Sequence, residues 1–452
     1  MFFTNRSIGL VAIGVVIFTF FELFTNLYFV SSIGVALTAG VFIKFVQDLG
    51  QRIEIRDLVA FLAILQWVLG PVLAYNVLPY DELYYMAVDE ATYMNYIVPG
   101  CFALTLGLYF PLAQDRLVAG DEIESIKEYI KENQWIGYLI ALGGIGAGMV
   151  GKYLPASLSF LFFLLSGMQF VGVYMILFSE SKIKWLAFAG VMGMVIMASV
   201  LQGMFGELVL WMMFALLVIA FVLKIPMVGK IAIISFGMLL VMLIQSTKQE
   251  YRMATWYAES DKSNSEIYKE VMMSRLENPS MLFESGPLEN TGARLNQGWI
   301  IARILNHMPE KYEFVKGETI ETALYAGLLP RVLAPTKAKA GGRANFERFT
   351  GTELPESTSM DISLAGEGYA NYGVYGGMVF LFIVGLFYNW IIIKVLAISK
   401  NHPTLILWLP IMFFQVIKAE TDFATVFNHF TKAAMVTFMV FWGMNKVLKI
   451  KM

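Results

Sequence analysis

The sequence is poor in the residue types that metal, redox and disulfide chemistry usually require. Its 452 residues include one cysteine, Cys101, and three histidines, His307, His402 and His429. A single cysteine excludes an intrachain disulfide, and so few thiol and imidazole groups disfavour a zinc site. The chain has no Gly-x-x-x-x-Gly-Lys-Ser/Thr loop and no Gly-x-Gly-x-x-Gly after a predicted strand, which are typical of nucleotide binding. We therefore expect no metal and no cofactor.

Charged residues are also scarce. Only 15% of the residues are charged, 58% are hydrophobic, and the mean hydropathy is +0.63. A soluble protein of this size needs more polar surface, whereas repeated apolar runs of about 17–25 residues are typical of membrane-spanning helices. The net charge of −2 gives no reason to expect a nucleic-acid partner. The composition thus predicts an all-α polytopic membrane protein.

The apolar runs predict about twelve membrane-spanning helices. The predicted spans are 8–24, 27–46, 57–79, 93–112, 135–151, 156–178, 183–201, 205–223, 228–246, 370–396, 404–418 and 431–448. Between spans nine and ten lies a polar segment that holds 31 of the 68 charged residues. We therefore predict three parts: a membrane bundle at 1–246, a cap at 247–369 and a second membrane bundle at 370–452.

Lysine and arginine in the short connections predict the orientation of the chain. If the N-terminus is cytoplasmic, every second connection is rich in Lys and Arg, whereas the opposite connections, such as the acidic segment 81–90, are poor in them. Cytoplasmic connections of membrane proteins carry this excess of positive charge. The pattern predicts that both termini are cytoplasmic and that the cap is extracytoplasmic.

The cap itself has local helical signals. Segments 264–276, 297–307 and 318–328 have helical patterns, and Pro330 follows the third. Residues 334–363 are rich in Gly and Pro and are predicted to form a loop. A long connection with its own helices is more often a folded functional segment than a slack tether.

Five cations lie close together within the cap: Arg331, Lys337, Lys339, Arg343 and Arg348. Guanidinium groups present paired donors to phosphate oxygens, so such a cluster beside a membrane favours binding of a phosphate- or diphosphate-bearing ligand. The alternative interpretations are a solvated basic loop and a contact with anionic lipid headgroups.

A second candidate segment, 366–373, has the sequence Gly-Glu-Gly-Tyr-Ala-Asn-Tyr-Gly. Glu367 would lie at the outer membrane edge, where a carboxylate could orient or deprotonate a sugar hydroxyl. The alternative is that its glycines and tyrosines only pack at the membrane interface. The turn at 418–429 also carries ionisable residues, but an exposed turn without a function is the favoured interpretation there.

These segments resemble the motifs of the O-antigen polymerase-like family, the oligosaccharide repeat-unit polymerases of bacterial surface polysaccharides. The outer loop of that family commonly contains Pro-Arg-aliphatic-Leu-Trp-Pro-x-Lys-Pro. Residues 330–338 are similar, with Ala334 and Ala338 in place of the Trp and the final Pro. The family's Gly-Glu-x-Tyr-x-Asn-aromatic-Gly motif is complete at 366–373. The residues Pro309, Phe314, Gly317 and Glu318 also resemble the segment that precedes the Arg motif in that family.

The resemblance implies an integral-membrane glycosyltransferase of the bacterial cytoplasmic (inner) membrane. It would transfer a growing polyprenyl-diphosphate-linked glycan onto another lipid-linked repeat unit, with Arg331 and Glu367 as the expected catalytic residues. Fixed cations that neutralise a diphosphate leaving group could supply much of the catalysis without a metal. The residues expected to bind the diphosphate or the sugars are Arg303, Lys337, Arg343, Arg348, Tyr369 and Asn371.

The implied partners are the lipid-linked oligosaccharide as donor and acceptor, membrane lipid, a chain-length regulator and a flippase. Three alternatives stay open at this point. An O-antigen ligase, or another enzyme using lipid-linked sugars, would share the topology and the basic cap. A flippase or transporter would place its ionisable residues in the middle of the membrane, and a non-catalytic assembly protein would lack activity when purified.

Overall fold

Helices make up nearly all the secondary structure of this protein. The computed structural model describes residues 5–51, 53–78, 80–112, 119–257, 262–280, 292, 294–328, 342–356, 358–450 and 452. None of these described residues lies in a β-strand. The predicted all-α class is therefore confirmed for the described part of the chain.

The helices follow one another with short connections. The helices up to residue 223 are α1 (Asn5–Phe24), α2 (Phe29–Asp48), α3 (Ile55–Ile64), α4 (Gly70–Asn76), α5 (Glu90–Leu108), α6 (Ala119–Glu132), α7 (Gln134–Gly151), α8 (Ala156–Ser166), α9 (Met168–Phe178), α10 (Lys184–Gln202) and α11 (Gly206–Leu223). The later helices are α12 (Met227–Arg252), α13 (Asn264–Glu277), α14 (Gly298–His307), α15 (Glu318–Leu328), α16 (Arg343–Thr350), α17 (Ser363–Ser399), α18 (Leu409–Met412) and α19 (Phe423–Lys446). Leu65–Leu69 and Met253–Tyr257 form π-helical turns, and Pro403–Trp408 forms a 3₁₀ helix.

Eight helical segments in the described part of the chain are long and apolar enough to cross a membrane, as a polytopic membrane protein requires. They are Phe29–Asp48, Ile55–Asn76, Gln134–Gly151, Leu158–Phe178, Lys184–Gln202, Gly206–Leu223, Met227–Thr255 and Ser363–Ser399. Each corresponds to one of the twelve predicted spans. The predicted spans at 8–24, 93–112, 404–418 and 431–448 have no counterpart among the eight, so the count of twelve stays a prediction.

The predicted span at 404–418 is not one continuous helix. Its first part is the 3₁₀ helix Pro403–Trp408, and α18 that follows has only four residues. Pro410 has no N–H to donate, and a proline ring clashes with the preceding helical turn, so an unbroken α-helix is disfavoured here. This segment therefore differs from the single helix that its hydropathy suggested.

Helix α17 begins before the predicted start at residue 370. It starts at Ser363, and the segment 366–373 therefore lies within its first turns. The early start of the helix is packed against the protein, because Gly366 lies against the Ile304 side chain. At Gly373 the backbone leaves the helical region, with φ 69° and ψ −164°, a conformation open mainly to glycine, and the helix bends there.

The three helices predicted within 247–369 are confirmed as α13, α14 and α15. The loop predicted over 334–363 is wrong in part, because residues 343–350 form α16. Phe346 and Phe349 are fully buried on one side of this helix. On its surface Arg343 Nε lies 2.9 Å from Glu347 Oε1, a spacing that supports a helix.

Contacts divide the chain into two compact units. The first unit consists of Met1–Phe45, Glu54–Leu117 and Leu295–Met452. The second unit consists of Val46–Ile53 and Val118–Arg294. The three-part division into membrane bundles and cap concerns the position of the membrane and stays a prediction.

In the first unit, α5 and α17 cross with their backbones in contact. A Cβ atom on Gly107 of α5 would overlap the carbonyl oxygen of Phe382, and one on Gly385 of α17 would overlap that of Leu104. Small residues at crossings are a common way for membrane helices to gain packing contacts. The same helix pair is joined by the Tyr96 hydroxyl, which donates to the Ala365 carbonyl at 2.6 Å. Helix α5 therefore fixes the position of the start of α17.

The first unit also contains a buried network of charges where α2, α3 and α17 meet. Lys44 Nζ donates to Asp57 Oδ1 at 2.6 Å, and Arg56 Nε donates to Glu54 Oε1 at 2.7 Å. Arg56 Nη1 donates to Asn389 Oδ1 at 3.1 Å. Two cations and two anions offset one another, which reduces the cost of removing each charge from water.

The second unit uses the same kind of close crossing between α7 and α9. A Cβ atom on Gly144 would overlap the backbone of Gln169, and one on Gly172 would overlap the backbone of Ala141. Outside its membrane-length helices, α13 begins with a capping box in which Ser263 and Glu266 bond to each other's backbone N–H.

We expect Gly385→Ala to destabilise the first unit, since the added methyl group would meet backbone rather than a flexible side chain. The expected loss is about 1–3 kcal/mol in the free energy of unfolding, typical of overpacking. Thermal unfolding in detergent would measure it. Gly40→Ala in α2 is the control, because no atom lies within 4 Å of its Cβ position. Equal melting temperatures for the two variants would contradict the close crossing.

Candidate functional site

Segments that are distant in sequence come together at the start of α17 in the first unit. The backbone of 315–316 runs beside α17, with Val315 N donating to Ala370 O at 3.1 Å and Lys316 N donating to Asn371 O at 3.0 Å. The Phe314 ring lies against Gly373 at the bend. Two of the segments that carry the family resemblance are therefore packed against each other.

Asn371 joins these segments through its side chain. Its Oδ1 accepts from Gly317 N at 2.9 Å, and its Nδ2 donates to Thr319 Oγ1 at 2.7 Å and to Glu367 O at 2.8 Å. The side chain is 1% exposed. Its amide is thus fully used in holding the first turn of α15 against α17, and its predicted role in sugar binding stays a prediction.

Tyr369 is also buried within this cluster. Its hydroxyl donates to Met308 O at 3.3 Å. Its ring makes edge-to-face contacts with Phe314 at 5.5 Å and with Tyr96 at 5.3 Å between centroids. In this structure Tyr369 packs the core beside the candidate site, and its predicted place along a sugar path stays a prediction.

Glu367 carries the carboxyl group at the centre of the site. Its side chain is fully buried, and its Oε2 accepts from Phe423 N at 2.6 Å. The Thr319 hydroxyl lies close to the same carboxyl group. The second oxygen, Oε1, makes no hydrogen bond to any described residue. A buried polar atom without a partner is costly, and such atoms are rare unless they serve a function or bind something.

Two further carboxyl groups, Asp361 and Asp422, lie near Glu367 at the N-terminus of α19. Asp422 caps that helix by accepting from Thr425 N at 2.8 Å. Burial raises the pKa of Asp361 to about 7, and the nearby Asp422 adds to the rise. Burial also raises the pKa of Asp422. The helix N-terminus favours negative charge, which partly offsets the repulsion.

Asp422 belongs to the turn at 418–429, for which an exposed position without a function was favoured from the sequence. The exposed position is wrong for Asp422, which is buried beside Glu367, whereas the lack of a function stays a prediction. The sequence held a usable signal, because an Asp one residue before a helix start is a common N-cap. Among the described residues, no group of three or more His, Cys, Asp or Glu side chains is arranged to hold a metal ion.

Arg348 of α16 is bound within the same cluster. Its two terminal nitrogens donate to the two carboxylate oxygens of Glu318 at 2.7 and 2.8 Å, and its Nε donates to the Tyr312 hydroxyl at 2.6 Å. These hydrogen bonds hold the pKa of Glu318 below its usual value. The bidentate pair connects α16 to the start of α15.

Arg343 and Arg303 also have protein partners. Arg343 binds Glu347 and donates to the carbonyl oxygens of Leu354 at 2.6 Å and Pro355 at 3.2 Å. Arg303 of α14 donates to Leu83 O at 2.8 Å. Its guanidinium also lies over two aromatic rings.

Arg331 and Lys337, the remaining predicted cations, lie outside the described residues, as does Lys339. The described structure therefore places Asn371 in contact with Glu367 and links Arg348 to the same cluster through Glu318, the neighbour of Thr319. Tyr369 packs against Phe314 beside them, and Arg343 lies on the same short helix as Arg348.

The arrangement around Glu367 suits proton transfer. Three neighbouring carboxyl groups cannot all ionise easily in a buried site, so one proton is readily held among them. A carboxyl group that shares a proton in this way is suited to accept or donate one. Because Glu367 is enclosed, a substrate hydroxyl would reach it only after the surrounding segments move apart.

We expect Asp361→Asn to remove a pH-dependent loss of stability. The raised pKa means that the folded state holds this proton more tightly than the unfolded state, in which the pKa of the Asp361 carboxyl group is near 3.8. The stability that the folded state gains by binding this proton is complete below pH 4 and is lost as pH rises through about 7. The variant should therefore melt at a higher temperature than wild type at pH 8, with the difference shrinking towards pH 4.

Thermal unfolding in detergent across this pH range measures the difference. Glu356→Gln, at an exposed position, is the control and should keep the wild-type pH profile. If Asp361→Asn were less stable than wild type by one constant margin at every pH, the carboxyl group would instead be a charged, stabilising acceptor.

No family model, no curated protein and no solved structure matches this chain. The functional assignment therefore depends on the residues themselves, on their geometry and on the motif resemblance of 330–338 and 366–373.

Proposed function

We propose that this protein is an integral-membrane glycosyltransferase that polymerises oligosaccharide repeat units. The donor and the acceptor are polyprenyl-diphosphate-linked oligosaccharides at the outer face of the bacterial cytoplasmic membrane. Both termini are cytoplasmic in this proposal, and residues 247–369 face outwards.

One observation carries the proposal: among the residues that the structure describes, the two segments picked out by the family resemblance, 314–318 and 366–373, pack against each other. Phe314, Gly317 and Glu318 contact Tyr369, Asn371 and Arg348 respectively, although 30 or more residues separate each pair. Such a convergence supports a shared role for these segments. The cluster also lies at the first turns of Ser363–Ser399, a helix long and apolar enough to span a membrane. A lipid-linked substrate presents its headgroup at such a membrane edge.

The proposed reaction has one bond formed and one broken. A hydroxyl of the acceptor sugar attacks the anomeric carbon of the donor, and the bond from that carbon to the diphosphate oxygen breaks. The hydroxyl proton passes to the Glu367 carboxylate, and polyprenyl diphosphate leaves with its charge neutralised by cations. General-base catalysis of this kind contributes about 10²–10⁴-fold to a rate.

We assign the neutralising cations to Arg331 and Lys337. The donor groups of Arg343 and Arg348 are already engaged by carboxylates and carbonyls, so they would bind phosphate only by exchanging these partners. Arg303 is held by Leu83 O and by aromatic rings. These three residues therefore act first as supports of the site and second as phosphate ligands.

Reconstitution of the purified protein tests the proposal. With a short polyprenyl-diphosphate oligosaccharide and no added metal or nucleotide, we expect a ladder of products that differ by one repeat unit. Glu367→Gln should slow ladder formation by about 100-fold or more, since the amide cannot accept the proton. The variant keeps an oxygen that can accept from Phe423 N, so it is expected to fold.

Glu356→Gln serves as the matched control and should polymerise like wild type. Transfer only after a lipid A core or a protein acceptor is added would instead identify a ligase. No transfer to any acceptor by a folded protein would reject the glycosyltransferase proposal.

Arg331→Ala should shorten or abolish the polymer made in cells, because the leaving diphosphate would lose its main cation. The measurement is polymer length on a gel at matched protein abundance. Lys248→Ala, also within 247–369 but far from the motifs in sequence, is the control. A wild-type length distribution for Arg331→Ala would show that the Arg331 assignment is wrong.

A further inference from the structure

An open groove lies between α15 and the start of α17. Its volume is about 570 Å³, within the roughly 300–1,000 Å³ range typical of small-molecule sites. Its lining residues are Gly317, Ile320, Glu321, Leu324, Tyr325, Leu328 and Tyr372. Five of these seven carry large apolar or aromatic side chains, and only Glu321 is charged.

Helix α15 packs in the opposite way from a helix of a soluble protein. Its buried side carries small residues, because Thr319 and Ala323 are buried and Gly327 lies against the Phe427 ring. Its large side chains point outwards. Leu324, Tyr325 and Leu328 are 39%, 53% and 64% exposed, respectively.

This arrangement indicates a hydrocarbon neighbour. In water, a helix gains stability by burying its large apolar face and exposing its small and polar residues. A contiguous exposed apolar surface marks a site for a partner, a ligand or lipid. Tyr372 stands across from α15 and makes the surface concave, so the shape suits one chain lying along the helix better than a flat contact.

The groove and the candidate site lie on two sides of the first turn of α15. Gly317, at one end of the groove, donates its N–H to Asn371 Oδ1, and Asn371 also binds the Glu367 carbonyl. Thr319, on the opposite side of the same helical turn, lies beside the Glu367 carboxyl group. A molecule in the groove would therefore contact the same turn of α15 whose other side lies beside the proposed general base.

We propose that this groove holds part of the prenyl chain of the lipid-linked substrate. The inference rests on the proposed function, which supplies a substrate with a long apolar chain. The acidic Glu321 disfavours the diphosphate within the groove, whereas the apolar side chains favour the hydrocarbon. Binding there would hold the lipid so that its headgroup stays close to Glu367.

A photo-crosslinking experiment tests the groove without relying on activity. The probe is a polyprenyl monophosphate with a diazirine on its chain, added to the full-length protein in phosphatidylglycerol-containing nanodiscs. After illumination, labelled peptides are mapped by mass spectrometry. We expect labelling within Ile320–Leu328 that excess unlabelled polyprenyl phosphate suppresses and extra phosphatidylglycerol does not.

Leu324→Trp should fill the groove and reduce this labelling about tenfold. Ile383→Trp is the matched control, because Ile383 is an apolar residue of α17 that is 55% exposed and lies away from the groove. It should leave the labelling of α15 unchanged. Leu328→Trp provides a second test of the same prediction.

Equal suppression by phosphatidylglycerol would show that the groove only contacts the bilayer, and labelling confined to other helices would show that the chain binds elsewhere. Either result overturns the inference. The outcome is separate from that of the polymerisation assay. If the protein binds the prenyl chain in this groove but makes no ladder of products, the groove assignment stands and the polymerase proposal is rejected.

Discussion

The amide of Asn371 is the interaction on which the candidate site depends. Its three hydrogen bonds connect the turn before α15, the first turn of α15 and the backbone of Glu367. No other side chain could supply one acceptor and two donors in the same plane except glutamine, which is longer. In this arrangement Glu318 forms its ion pair with Arg348. The large side chains of α15 lie on the side of the helix that faces away from Asn371. One buried amide thus helps to position both the helix that lines the groove and the surroundings of the carboxyl group.

Much of the helical framework could be predicted from the sequence, because long apolar runs and helical spacing are local signals. The ends of α13, α14 and α15 were close to their predicted positions for that reason. Helix α16 was missed since its stability comes from burying Phe346 and Phe349, which local composition does not reveal. The early start of α17 was missed because close packing of glycine overcame its low helix propensity.

The candidate site was predictable only in part. The motif singled out Glu367, but the approach of Asp361 and Asp422 depends on where α19 begins relative to α17. Likewise, five cations in one stretch suggested free positive charge, yet the fold gives two of them carboxylate partners. Tertiary contacts decide whether a charged side chain is available for a ligand. A count of Lys and Arg in the sequence does not reveal these contacts.

The buried network at Arg56 has a consequence for how the chain is made. Arg56 and its amide partner Asn389 are separated by 333 positions, and most of the second unit, Val118–Arg294, is translated between them. Glu54 can offset the charge of Arg56 early in synthesis, but the hydrogen bond to α17 forms only after Asn389 has been made. The local ion pair therefore precedes the long-range contact, and a chain that stops before Asn389 would lack one of the polar contacts between α3 and α17.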